Sequence, residues 1–272
     1  MSAFLSHFAF EFKTGLRNST SLLMNYLFPL GFYAMMGLVM TKINPMFTET
    51  MIPALIVFGA MATALLGLPS PLVESREAGI FRTYKINGVP AAAILSVPVL
   101  TTLFHVIIVA TVIALTGRPL FGGAAPVNTL AFALITLLTG LTFASIGALI
   151  GVVSKSSNAT VLWSQLVFLP SVLLGGLMMP LSLLPRSVLP FAGLFPATHA
   201  MQAYVGLAYR AETVLDPVIS VSVLLATSVL SFGLAIYLFN WDSRNNTRRG
   251  HPLMALLAVV PLIIGAALLI QT

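Results

Sequence analysis

Side chains able to do chemistry are few in this sequence, and they avoid its apolar stretches. Glu11, Glu74, Glu77, Asp242, Glu49, Glu212 and Asp216 all lie between those stretches or at their edges. His105 is the one His, Asp, Glu, Lys or Arg side chain set well inside one. A proton- or sodium-coupled carrier commonly holds a carboxylate near the membrane midplane, because ion coordination or proton relay needs one. Its absence disfavours such a carrier, although helix ends and carbonyls can also bind sodium. His105 fits two roles: a substrate contact, or a packed ring hydrogen-bonded to a hydroxyl such as that of Thr101 or Thr102.

Enzyme chemistry has even less to work with. There is no His-Glu-x-x-His zinc pattern, no Gly-x-Ser-x-Gly elbow and no pair of aspartates within the apolar stretches. The four lysines follow Phe12, Thr41, Tyr84 and Ser154, so the Gly-Lys step of a phosphate-cradling loop does not occur. The chain therefore cannot hydrolyse ATP by that mechanism on its own. Cysteine is absent, which removes disulfides, thiolate metal sites and a cysteine nucleophile. No metal ligand set or cofactor site is expected.

The elements that must position these residues follow from composition. With 58% hydrophobic and 7% charged residues over 272 positions, no water-soluble fold could hide the apolar surface. The expected fold is all-α: a polytopic transmembrane helix bundle of six to seven spans. Apolar runs place the spans at 22–40, 51–68, 91–115, 129–153, 161–179, 218–239 and 253–270. The net charge of +6 comes from basic residues scattered between these runs, which read as topology signals and not as a nucleic-acid surface. A cytoplasmic N-terminus puts nine of the thirteen Lys and Arg residues inside and leaves Lys42, Arg118, Arg186 and Arg210 outside. The expected location is the inner (plasma) membrane, multi-pass, with the first span acting as an uncleaved start-transfer segment.

Three segments outside the spans are distinctive. Residues 1–20 hold Phe4, Phe8 and Phe12 at helical spacing opposite His7, Glu11 and Lys13, with Arg17 closing an interfacial helix. Residues 69–90 carry Glu74, Arg76, Glu77, Arg82 and Lys85 beside an apolar stripe of Ile80, Phe81 and Tyr84. This pattern fits a cytoplasmic helix presented to a partner, or a solvated connector whose charges enforce topology. Residues 175–216 are punctuated by Pro180, Pro185, Pro190 and Pro196 yet are too apolar for an ordinary loop, so they are expected to re-enter the membrane from outside as a gate or a sealing lid. In the fourth span, Gly140, Ala144, Gly147, Ala148 and Gly151 form a small-residue face for close helix approach. Gly59, Ala60, Ala62, Ala64 and Gly67 in the second fit packing or a pathway lining alike.

In that order, the segments resemble the membrane subunit of an ABC exporter of the type-2 permease family. The residue 4–17 helix followed by Phe28, Pro29 and Leu30 is similar to the family's connecting helix and first span. Glu74, Arg76, Glu77, Gly79, Ile80 and Phe81, followed by Gly88, Val89 and Pro90, are similar to its coupling segment. Gly175, Gly176, Pro180, Leu184, Pro185, Leu189, Phe195, Pro196, Thr198 and His199 match its external Gly, Leu-Pro and Pro-x-Thr pattern. Ile80 stands where the family often has threonine and Ala197 where it often has leucine. The seventh stretch, 253–270, is a larger departure from the six spans common in the family, either an added helix or a C-terminal anchor.

The resemblance implies a single type-2 transmembrane domain over 1–272 that pairs with a second permease, identical or related. It also implies docking on two copies of a separate ABC ATPase subunit, which would bind the ATP and Mg. Its coupling interface would comprise Glu74, Arg76, Glu77, Gly79, Ile80, Phe81, Arg82 and Tyr84, with Phe8, Glu11, Phe12 and Arg17 on the connecting helix. Its external gate would comprise Gly175, Gly176, Pro180, Leu184, Pro185, Pro196, Thr198 and His199. Aromatic, methionine and small residues favour a hydrophobic or amphiphilic cargo such as a drug, lipid or modified peptide. Polymer export is a lesser option, since Trp163 and Trp241 sit near span ends as anchors. The competing classes are an ion-coupled carrier or channel acting without an ATPase, and a non-transporting assembly factor.

Overall fold

Backbone in lipid must satisfy its N–H and C=O groups within the segment, and each long apolar run here does so as a helix. A computed structural model describes residues 19–242 and 250–270, and the helix expected around Phe8, Glu11, Phe12 and Arg17 lies outside them. Among the described residues, six helices are long and apolar enough to cross a membrane: α1 (Leu23–Ile43), α2 (Phe47–Glu77), α4 (Ala91–Phe121), α5 (Thr129–Val153), α6 (Ser157–Leu174) and α8 (Pro217–Leu238). Between them lie α3 (Ile80–Ile86) and α7 (Pro196–Ala203), and α9 (Val260–Ile270) closes the described chain. No strand occurs among the described residues.

Several boundaries differ from the sequence expectation for local reasons. Pro69 and Pro71 signal an end to the second span, yet α2 continues to Glu77. A widened turn over Ala62–Gly67 precedes Pro69, which then opens a fresh helical turn where its missing N–H is not needed. The charged segment is thus divided: 69–77 extends α2, and only Ile80–Ile86 forms the separate helix α3. Gly79, left-handed at φ 76°, makes the break. Helix α6 starts at Ser157, earlier than 161, because the Ser156 hydroxyl accepts the Ala159 N–H at 3.3 Å. It stops at Leu174, short of 179, where Gly176 turns left-handed at φ 82°.

Helix α2 is the axis of the bundle, with every residue from 51 to 65 buried. Helices α1, α4, α5 and α7 surround it. The small-residue face of α5 packs within the chain: a Cβ on Gly147 would collide with the Ala64 carbonyl of α2, and one on Gly140 would lie 2.8 Å from Leu103 of α4. Gly59 and Gly67 of α2 are likewise closed off, by Val109 and Asn25. Both groups of small residues therefore serve packing in this chain. Helix α8 lies along α5, where Thr142 donates to the Leu224 carbonyl at 3.2 Å and Ser145 meets Ser228 at 3.3 Å. Outward faces carry exposed Leu115, Leu130, Leu162 and Val229, as lipid contact requires.

The seventh apolar stretch is not one α-helix. It winds as a 3₁₀-helix over Pro252–Val259 before α9. At a rise of about 2.0 Å and 1.5 Å per residue respectively, the two parts together measure about 32 Å, close to a hydrocarbon thickness of about 30 Å. The stretch packs on α8 and reaches the short Leu189–Ala192 helix beside α7.

Candidate functional site

The candidate residues gather at opposite ends of the bundle. At one end, the last turns of α2 pack against α5 and α6, and the chain turns at Gly79 into α3. Arg76 is only 7% exposed, and its guanidinium donates to the carbonyls of Val152, at 2.8 Å, and Ser154. Val152 is in the last turn of α5 and Ser154 is its C-cap residue, carbonyls left without intrahelical partners, so the side chain caps that helix while neutralising its own burial. Arg76 accordingly ties α2 to α5 and is withdrawn from the outer surface.

What remains outward at this end is mixed in chemistry. Glu74, Glu77, Ile80, Arg82, Thr83, Lys85 and Ile86 are exposed, Ile86 to 79%. Tyr84 is half-buried, whereas Phe81 is buried, its ring 5.2 Å from that of Phe239 just beyond α8. Phe239 in turn meets Trp241 edge-on at 5.1 Å. Arg82 forms an ion pair with Asp242. A crevice lined by Leu72, Arg76, Phe81, Leu95, Phe239 and Asn240 lies beneath these contacts. Sequence reasoning assigned Asp242 no partner; an acidic residue three positions past the 218–239 span was the available signal.

The other end holds the segment between α6 and α8. Gly175 closes α6 with its N–H on the Ser171 carbonyl at 2.8 Å, and a Cβ there would lie 2.8 Å from Ala197. Pro180 and Leu184 are half-buried and Pro185 is exposed, whereas Pro196, Thr198 and His199 are buried. Pro196 occupies the first turn of α7, where proline is favoured. Every residue of α7 is buried. Thr198 donates to the Ala192 carbonyl, and His199 Nε2 donates to the Gly193 carbonyl at 2.9 Å.

Two residues missed from sequence complete this arrangement. The Gln202 side-chain oxygen accepts the N–H groups of Val214, at 2.7 Å, and Leu215, at 3.0 Å, just ahead of α8. Tyr204 donates its hydroxyl to Thr136 at 2.7 Å. Thr136 lies seven residues into α5, about 10 Å along its axis. The segment therefore descends into the bundle through α7, which is buried in protein, and returns to the end it left, while the irregular backbone around Pro185 and Arg210 stays exposed. The spacing of Thr198, His199 and Gln202, polar at one-turn intervals in an apolar setting, was the legible clue.

His105 stands apart from both ends. Its Nδ1 is hydrogen-bonded to the hydroxyl of Tyr26 on α1, with the two rings edge-on at 5.3 Å. A tyrosine of another span, and not Thr101 or Thr102 of its own helix, supplies the hydroxyl. Among the described residues no group of His, Cys, Asp and Glu is placed to hold a metal.

No curated protein and no solved structure matches the chain significantly. Residues 2–209, which include both α3 and α7, match the family described as ABC-2 type transporter. The helical bundle and that match together place this chain in the ABC-2 type transporter family, as a multi-pass membrane permease component.

Proposed function

We propose that the chain is the permease subunit of an ATP-driven exporter, docked through α3 and the end of α2 onto separate ABC ATPase subunits. The observation that carries this reading is the exposed face of α3. Ile80 and Ile86 are 45% and 79% exposed among Glu77, Arg82 and Lys85, on a helix too short and polar to face lipid. Apolar side chains ringed by charge fit a protein partner, the charges setting orientation and the isoleucines being desolvated. The missing phosphate-binding loop supports ATP and Mg residing on that partner.

In this scheme the α3 end is cytoplasmic in the inner (plasma) membrane and the α7 end external. Because the small residues of α2 are consumed by packing, a path for cargo is better accommodated between two permease copies than through one. A drug, lipid or modified peptide suits such an apolar seam. The ion-coupled carrier reading has His105 in its favour, and that ring is engaged by Tyr26.

The test is affinity purification of the tagged full chain from native membranes in mild detergent, assayed for a co-purifying ATPase. Recovery of a P-loop subunit, reduced by Glu77→Arg or Ile86→Asp, supports the reading. Recovery of the chain alone, without ATP hydrolysis, overturns it.

A further inference from the structure

We infer that α3 is latched to the end of α8, and that α8 is the element through which movement of α3 reaches the buried helix α7. This inference rests on the proposed docking role of α3, but its geometry is independent of what docks there. The residues argued to position α3 are Phe81 and Arg82, acting through Phe239 and Asp242.

The local wiring separates α3 from α2 and joins it to α8. Beyond Gly79, left-handed at φ 76°, α3 is no longer a continuation of α2. Helix α2 itself is held to α5 by Arg76, so it is anchored on the near side of that hinge. On the far side, Phe81 is buried against Phe239, and Arg82 pairs with Asp242. Both partners lie within four residues of the end of α8 at Leu238. A partner displacing α3 therefore pulls on α8 directly.

Helix α8 is built to carry that displacement. Helices α1 and α2 contain widened turns, and α2, α4 and α6 contain internal prolines. Helix α8 has neither: its one proline, Pro217, is at the helix start, and it runs 22 residues without interruption. Such interruptions are where helices bend, so α8 moves more nearly as one body than most of its neighbours. At its far end the Asp216 carboxylate caps the helix on the Val218 and Ile219 N–H groups at 2.8 and 3.0 Å. One residue earlier, Gln202 of α7 holds the N–H groups of Val214 and Leu215. A chain of packed and hydrogen-bonded groups thus runs from Phe81 to Gln202, the physical form that long-range coupling takes.

The native chain has no cysteine, so one introduced thiol reports on α7 alone. Ala203→Cys, at a fully buried position of α7, is reacted in native membranes with a membrane-impermeant maleimide applied from the α7 side. Labelling is compared in the Ala203→Cys background with Arg82→Asp, Asp242→Arg, the double exchange Arg82→Asp/Asp242→Arg, and Phe81→Leu. Arg82 is 57% exposed, so the ion pair is of the modest, solvent-screened kind, and each single reversal is expected to speed labelling by about threefold. The double exchange is expected to return it to the starting rate, and Phe81→Leu to change it in the same direction as the single reversals. A merely structural pair at the α3 end would leave a thiol at the opposite end unaffected. Equal labelling in all five proteins overturns the latch. Failure of the ATPase to co-purify with the wild-type chain would instead overturn the docking reading, leaving the labelling result to stand by itself.

Discussion

Gly265 of α9 lies against the imidazole of His199: a methyl group added at 265 would come within 2.5 Å of the ring carbon Cε1 and 2.9 Å of Nε2. The C-terminal stretch therefore touches the helix that the sequence marks as part of the gate. Gly265→Ala forces His199 to move and loosens its bond to Gly193; Gly265→Leu does so more severely. Overpacking of this kind costs about 1–3 kcal/mol. Thermal unfolding of the detergent-purified protein should drop in the order wild type, Ala, Leu.

The length of about 32 Å over Pro252–Ile270, with Gly265 already at the level of His199, predicts a seventh crossing. In single-cysteine proteins, Leu268→Cys should be labelled by an impermeant maleimide from the same side as Glu212→Cys. Lys85→Cys should be labelled from the opposite side. Labelling of Leu268→Cys from the Lys85 side would reduce the stretch to an anchor that turns back.

Arg76 is predicted to matter for stability and not for partner choice. Removing it strands the Val152 and Ser154 carbonyls, and hydrogen bonds to a charged group are worth about 1.5–3 kcal/mol. Arg76→Ala should lower thermal stability by that order. Arg76→Lys should recover only part, because an ammonium lacks the planar fork that reaches both oxygens. If Arg76→Ala left stability intact while abolishing ATPase capture, the buried role would be wrong.

Gly147 faces the Ala64 carbonyl, a backbone atom that cannot rotate away. Gly147→Val is therefore expected to separate α5 from α2 and to reduce the yield of folded protein in size-exclusion profiles. Gly233 of α8 has open space where a Cβ would stand, so Gly233→Ala should be tolerated and serves as the matched control.

The Tyr26–His105 pair decides between two transport classes. Tyr26→Phe removes one interhelical hydrogen bond, worth about 0.6 kcal/mol within a membrane bundle, and should lower stability slightly. In an exporter driven by a partner ATPase, ATP-dependent transport by His105→Gln should stay within a few-fold of wild type. Loss of transport together with loss of its pH dependence would favour the carrier.

How far the site was legible varied with the kind of signal. Proline and glycine punctuation located the segment around α7, because Pro196 and Gly176 have few other backbone uses. It said nothing of Gln202 or Tyr204, whose partners lie on α5 and ahead of α8. In 69–90 the charges were visible but their directions were not: Arg76 and Arg82 look alike in sequence, yet one is buried on carbonyls and the other faces Asp242, 160 positions away. Helix ends were missed where a widened turn or a serine cap changed the local rule, as at Pro69 and Ser157.

Composition alone determined that this chain belongs in a membrane, because apolar surface on this scale and so few charges leave no soluble alternative. The sequence holds no Gly-Lys step, the dipeptide that a phosphate-cradling loop requires. Hydropathy and breaker residues located the spans, since lipid forces each to satisfy its backbone internally. Only the tertiary structure decided which small residues pack inside the chain, which arginine is buried, that α7 lies within the bundle, and that α9 reaches His199. Those outcomes depend on which helix faces which, and in a uniformly apolar sequence hydrophobicity carries no such instruction. Close packing and a handful of interhelical hydrogen bonds choose the neighbours instead.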